Sequence, residues 1–253
     1  MTDFAEVTLT SWVTPLLLLW SIFLLDLWLG DPVYRFHPIR LIGSLMIYLE
    51  RWLFARGWNG YTGGILLGLL LLGIVLGCYF LLQKLFGSLH PVLGWSLDLF
   101  LGYSLLALRD LEIHGLRVWR ATAEGNLMEA REEISQLVGR DVERLDLAGC
   151  NRATLESLRE NLSDGVVSPL IWLTLVGIPG MLAFKVISTM DSMVGYRNSR
   201  YLRFGWFGAR TDDLMNWVPA RLTWVLLSIS AWVLPGYDGR MAWSIGLSQH
   251  QYM

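Results

Sequence analysis

Residues 62–82 read TGGILLGLLLLGIVLGCYFLL, 21 positions without a charge. At about 1.5 Å rise per residue, a helix of this length crosses the roughly 30 Å hydrocarbon layer of a bilayer. The run is the strongest membrane signal in the chain, and four further stretches are apolar enough to join it. Residues 12–30 end near Asp26, a carboxylate that lipid does not solvate and that must therefore face protein or the interface. No Lys or Arg precedes that stretch, so it does not read as a cleavable signal. Residues 91–108 carry Asp98, and residues 217–234 carry Arg221 near one end. Pro219 is expected in the first turn of the latter, where its missing N–H matters least.

The stretch 166–187 is long enough to span, but Gly177-Ile178-Pro179-Gly180 interrupts its middle. Proline removes a helix hydrogen bond and the flanking glycines permit a turn, so this is a kinked span or two half-helices folded back as a re-entrant hairpin. Composition agrees with a membrane protein. The chain is 54% hydrophobic and 17% charged, against about 25% charged in soluble domains. A disordered chain lacks such apolar surface. The net charge of -2 offers no concentrated basic field for nucleic acid. Two cysteines do not make a disulfide scaffold.

Residues 109–165 differ in kind, with eight Arg and twelve Asp or Glu of interspersed sign. They read as amphipathic helices outside the membrane. Within them, Ile134, Leu137, Val138 and Val142 recur at helical spacing. A second charged stretch, 188–216, carries Arg197, Arg200, Arg203 and Arg210, and the loop 31–61 carries Arg35, Arg40, Arg51 and Arg56. The expected architecture is an all-α, polytopic integral membrane bundle with four to five hydrophobic segments. It forms one membrane domain over 1–253, with 109–165 as an extramembrane helical insertion.

Four polar clusters sit at the predicted membrane edges. The first is Gly30-Asp31-Pro32 followed by His37-Pro38, which reads either as a helix stop with a turn-capping Asp or as part of a site. The second is Glu156 to Gly165, in which Glu156, Glu160 and Asp164 are four apart and share a helix face. It reads as a solvated face, with Asp164 free to cap a following helix, or as a cation site. Carboxylates approaching a helix end at Gly165 oppose the macrodipole, which a bound Mg²⁺ would relieve. The third runs from Thr189 through Asp191 to Arg197, where an Asp with hydroxyls suits a hydrated metal and Arg197 and Arg200 suit phosphate. The plainer alternative is a helix end with interfacial polar residues. The fourth is Phe204 to Asp213, where Thr211 or Asp212 is a plausible N-cap but two adjacent acids between Arg210 and Arg221 exceed what a cap needs. Trp206 and Phe207 read as interface anchors or as an aromatic wall for a planar ligand. The chain has no G-x-x-x-x-G-K-[ST], no H-E-x-x-H and no Cys/His zinc spacing.

Taken in order, DLWLGDPVYRFHPIRLIG, AREEISQLVGRDV, LESLRENLSDGVVSPLIW, STMDSMVGYRNSRYLRFG and ARTDDLMNWVPARLT cover most of the chain. Together they resemble the membrane-bound adenosylcobinamide-phosphate synthase family of cobalamin biosynthesis. The resemblance implies ATP-dependent joining of adenosylcobyric acid to (R)-1-aminopropan-2-ol or its O-phosphate. It also implies ATP and Mg²⁺ at the site, a corrinoid substrate, a multi-pass cell-membrane location and a site facing the cytoplasm. Other cobalamin-pathway enzymes are possible partners.

From the chemistry of the four clusters, and not from the resemblance, Asp191, Asp212 and Asp213 are assigned to Mg²⁺ and phosphate, with Glu156, Glu160 and Asp164 completing an acidic pocket. Arg197, Arg210 and Arg221 are assigned to phosphate oxygens. Asp31, His37, Asn161, Trp206 and Phe207 are assigned to substrate, with the corrin against 109–165 and Trp206. Members usually run on through a Ser-Pro-Asn motif and another apolar segment, whereas this sequence stops at Met253. A non-catalytic membrane scaffold of the same family is therefore an alternative. A transporter with broken helices is another, but its ionisable groups belong near the bilayer midplane. With ATP on the cytoplasmic side, all four clusters belong on one face, which requires 166–187 to double back.

Overall fold

The computed structural model describes residues 2–30, 34–138 and 142–249, and every regular element among them is helical. The order is α1 (Thr2–Leu29), α2 (Pro38–Phe54), α3 (Tyr61–Leu89), α4 (Pro91–Tyr103), α5 (Leu108–Ala123), α6 (Leu127–Ser135) and α7 (Leu147–Leu162). A π-helical turn (Ser163–Val167) then leads into α8 (Ser168–Val176), α9 (Ile178–Val194), α10 (Trp206–Val233) and α11 (Gly239–Gln249). By length and composition, two stretches are apolar enough to cross a membrane: Tyr61–Leu89 and Pro91–Ala123. The second is broken between Tyr103 and Leu108.

Three buried clusters organise the helices. In the first, Ile42, Met46, Leu67, Leu71, Val186, Met190 and Phe204 join α2, α3 and α9. In the second, Ile22, Tyr79, Leu106, Leu173 and Met181 join α1, α3, the α4–α5 joint, α8 and α9. The third, around Val118, Ala130, Ile134 and Cys150, belongs to α5, α6 and α7. In α3, a β-carbon at Gly64 would lie 1.9 Å from the Phe204 carbonyl oxygen, and one at Gly68 2.3 Å from the Phe207 ring. Small residues on the first turns of α3 thus admit the segment 204–207, the close approach that drives helix association where water exclusion does not.

Both carboxylates inside apolar segments accept hydrogen bonds from protein groups. Asp26 is fully buried, and its Oδ2 accepts from the Leu108 N–H at 2.9 Å, capping α5. Asp98 accepts from the Tyr79 hydroxyl and the Gln83 amide, each at 2.9 Å, which ties α4 back to α3.

The interruption in 166–187 is a chain reversal. Gly177 has φ 76 and ψ -162, a region that only glycine enters freely. Past it, a β-carbon at Gly180 would lie 2.7 Å from the Trp172 carbonyl oxygen. The Lys185 ammonium donates to the Asp164 carbonyl at 3.0 Å. In one continuous helix, 21 residues would separate those two by about 30 Å. The helices α8 and α9 therefore form a hairpin, and Asp164 and Asp191 lie at the same end of it.

Three expectations need correction. Pro219 is not in a first turn, because α10 begins at Trp206 and passes straight through it. A mid-helix proline leaves the carbonyl four residues earlier without its donor. Here the Trp172 indole N–H of α8 donates to that Met215 carbonyl at 3.3 Å. The helical spacing from Ile134 to Val142 does not mark one helix, because α6 ends at Ser135. Leu137, Val138 and Val142 still pack on the third cluster, from outside regular helix. The helix end expected at Gly165 is absent, since the π-turn carries the chain into α8.

Gly177→Ala should lower stability by about 1–3 kcal/mol, the usual cost of a side chain in that backbone region. Gly73→Ala, where a β-carbon meets open space, should not destabilise. Thermal melts of the two variants in one detergent check this.

Candidate active site

Three of the sequence-predicted acids converge at the open end of the α8–α9 hairpin. Asp164 lies in the π-turn, Asp191 in the last turn of α9, and Asp212 in the second turn of α10. Glycines set the approach of the last two. A β-carbon at Gly208 would lie 2.9 Å from Met190 Cγ and 3.5 Å from the Asp191 nitrogen, so α10 can lie against α9 only without it. A β-carbon at Gly195 would lie 2.0 Å from Asp191 Oδ1. Gly195 has ordinary helical angles, so its part here is to make room for that carboxylate.

A hydrogen-bond chain orients Asp212. The Ser168 hydroxyl donates to Asn216 Oδ1 at 2.6 Å, and the Asn216 amide donates to Asp212 Oδ2 at 3.0 Å. Asp212 Oδ1 is buried with no hydrogen-bond partner among the described residues. Neither Thr211 nor Asp212 is an N-cap, because the helix starts at Trp206 after Gly205. Capping therefore does not account for Asp212.

Burial and mutual repulsion hold these acids toward their neutral forms. Asp212 is pushed up to about 7, first by burial, then by Asp164, with Asp191 and Asp213 adding and the Asn216 amide opposing. Asp164 is pushed up to about 6 by burial, with Asp191 and Glu160 adding and Lys185 and Asn216 opposing. Asp191 is raised by burial and by Asp213. The donors are all hard oxygens and one is unpartnered, which fits Mg²⁺ in kind. Among the described residues no three His, Cys, Asp or Glu side chains are gathered closely enough to enclose a metal.

The remaining predicted residues divide. Asp213 is exposed and pairs with Arg210 at 3.5 Å. Glu160 is exposed beside Asp164, and Glu156 is exposed as well. The Asn161 amide donates back to the Ser157 carbonyl at 2.8 Å. Arg197 is exposed in the α9–α10 connection. Arg221 stacks over Trp217 at 4.0 Å. His37 is buried and caps α2, its Nδ1 accepting from the Ile39 N–H at 3.3 Å. Asp31 lies outside the described residues. Trp206 is exposed and meets Tyr61 edge-on at 5.7 Å. Phe207 packs on the first cluster against Gly68, so it is a core residue and not an open aromatic wall.

Sequence reasoning passed over Lys185, Ser168, Asn216 and Glu50. A lysine within an apolar run is itself a signal for Lys185. The Ser168 and Asn216 contacts join helices 48 residues apart, which no local pattern reveals. Buried Glu50 accepts from Arg200 Nη2 and the Tyr201 hydroxyl, each at 2.9 Å, and fastens the α9–α10 connection to α2. Arg200 is thus engaged by Glu50, contrary to its assignment toward phosphate.

Residues 19–251 match the family model described as CobD/Cbib protein. The chain belongs to the CobD/Cbib family. It is 41% identical over 242 residues to "Cobalamin biosynthesis protein CobD" of Yersinia enterocolitica, covering 94% of this chain and 74% of that protein. It is 44% identical over 224 residues to the protein of the same name from Geobacter metallireducens, covering 88% and 70%. For the Listeria monocytogenes serovar 1/2a protein, also of that name, the figures are 38% over 230 residues, 90% and 72%. No solved structure matches. The family membership agrees with the resemblance carried by the five sequence strings.

The raised carboxyls fix a sign for the pH dependence of stability. The ordinary aspartate value is 3.8 and Asp212 lies at about 7, so the folded state binds more protons than the unfolded state between those limits. Stability therefore falls as pH rises across that window and levels off above it. Asp212→Asn should flatten the decline, and melting temperatures from pH 4.5 to 8 without divalent cation test this.

Proposed function

We propose that this chain acts in cobalamin biosynthesis as an ATP-dependent amide synthase, joining adenosylcobyric acid to (R)-1-aminopropan-2-ol or its O-phosphate. The observation that carries the reading is the convergence of Asp164, Asp191 and Asp212 at one end of the helix bundle in a CobD/Cbib family member. A carboxylate and an amine do not condense readily in water. Attack of the corrinoid carboxylate on the terminal phosphorus of ATP releases ADP and leaves an acyl phosphate. The amine nitrogen then attacks the acyl carbon, inorganic phosphate departs and the nitrogen loses a proton.

Asp191, Asp212 and Asp213 would hold Mg²⁺, with phosphate and water oxygens completing its shell. When bound, the ion neutralises phosphate charge. Arg197, Arg210 and Arg221 would bind phosphate oxygens, and Glu156 and Glu160 would extend the acidic rim. Asn216 keeps the Asp212 carboxylate directed, and Gly195 leaves Asp191 room to face it. The corrin would lie over exposed Trp206, its apolar ring against an aromatic surface.

The reading places the protein as a multi-pass membrane bundle with this end in the cytoplasm. The polar ends that support it lie together. Tyr61 at the start of α3 meets Trp206 at the start of α10. A β-carbon at Gly165 would lie 3.5 Å from Ala107 at the α4–α5 joint. Arg51, Arg56, Arg200, Arg203 and Arg210 cluster around these ends in sequence, as cytoplasmic flanks do.

Asp191→Asn preserves shape and removes one negative charge. It should lower amide formation by at least about tenfold, as loss of a charged oxygen at a metal site does, without lowering the melting temperature. Purified protein in detergent, given adenosylcobyric acid, ATP, Mg²⁺ and each amine in turn, supplies the measurement. Wild-type turnover in the variant removes Asp191 from the site. No turnover by the unaltered protein with either amine favours a non-catalytic scaffold.

A further inference from the structure

Lys185 is one of two lysines in the chain, and it lies on α9 in the apolar run IPGMLAFKVI. Only 8% of it is exposed. An ammonium is strongly hydrated, so burying one requires compensating charge and acceptors. Both come from across the hairpin. Its Nζ donates at 3.0 Å to the Asp164 carbonyl within the π-turn, where the regular hydrogen-bond pattern of the helix is broken. The Asp164 carboxylate lies close enough that Lys185 favours its charged form. Arg210, the cation nearest in sequence to Asp212, is exposed and paired with Asp213.

We propose that Lys185 is a positioning residue of the acidic site, fixing the π-turn so that Asp164 faces Asp191 and Asp212 and offsetting part of their negative charge. The inference rests on the acidic-site reading and deepens it. Two things follow from the geometry. Without the ammonium the pocket is more negative and attracts a divalent cation more strongly. Without the tie, Asp164 is less well directed and turnover falls. A residue that merely staples the hairpin would change stability alone.

The test uses the full chain in detergent, with Mn²⁺ standing in for Mg²⁺ so that binding is read by electron paramagnetic resonance as well as by amide formation. Lys185→Met removes both donor and charge, whereas Lys185→Gln keeps a donor for the Asp164 carbonyl and removes only charge. Both should bind Mn²⁺ with a midpoint about threefold lower, through the lost repulsion. Lys185→Met should also lose about tenfold in kcat, the usual effect of removing an orienting partner, with KM for the amine little changed, and Lys185→Gln should lose less because it keeps the tie. Lys185→Arg should restore both quantities toward wild type.

If Lys185→Met folds poorly, Lys185→Gln alone decides. A wild-type Mn²⁺ midpoint in the glutamine variant overturns the proposal and leaves Lys185 a staple. Asp191→Asn and Asp212→Asn run alongside. If those two bind Mn²⁺ as the wild type does, the acidic-site reading fails, and the Lys185 proposal with it. If they lose Mn²⁺ while the glutamine variant is unaltered, only the Lys185 proposal fails.

Discussion

The reversal at Gly177 determines where the acids of the candidate site end up. A helix continuing from Ser168 would carry Asp191 far beyond Asp164, and the two acidic segments would face opposite ends of the bundle. With Gly177 at positive φ the chain folds back on itself and Lys185 comes level with Asp164. The cost is a pair of short half-helices whose backbone groups must find partners outside their own turns. In an apolar surrounding those partners have to be protein.

Their partners come from polar side chains on neighbouring helices. The Met215 carbonyl, left without a donor by Pro219, takes the Trp172 indole of α8. The Asp164 carbonyl in the π-turn takes the Lys185 ammonium. The Ser168 hydroxyl at the start of α8 reaches Asn216 and through it Asp212. The Pro219 and π-turn irregularities are thereby answered by specific residues of other helices, while the Ser168–Asn216 chain directs the Asp212 carboxylate. The contacts that hold the hairpin and those that direct the site run through the same helices.

Much of this was legible in the sequence where it depended on local chemistry. The uncharged run 62–82 becomes α3, and the Gly-Ile-Pro-Gly interruption becomes the reversal. His37 before Pro38 is a helix cap, the plainer of the two roles open to it. Asp26 in an apolar segment faces protein, accepting from the Leu108 N–H. What failed was register. Pro219 and Asp212 were read as near a helix start because the apolar pattern begins at Trp217, but the helix itself begins at Trp206. Apolar periodicity marks the part of a helix that is buried in lipid or protein, not its full length. The long pairs, Glu50 with Arg200 and Ser168 with Asn216, left no local trace.

Capping would have given Asp212 a structural role at a helix terminus, where a carboxylate is stabilised by free N–H groups. Placed inside α10 instead, it has no such groups, and its environment opposes its charge. Asp191 and Asp164 are also penalised by burial and by neighbouring acids, and at Asp164 Lys185 and Asn216 relieve part of the penalty. A fold that needed only packing at this junction would be served as well by amides of the same shape. Three acids maintained close together against burial and repulsion make physical sense when something positively charged is gained there during the working cycle. Among the described residues the carboxylates do not close around an ion by themselves. A cation arriving together with phosphate oxygens would complete its shell from its own ligand, and for that purpose an open, incompletely neutralised acidic end is the suitable arrangement.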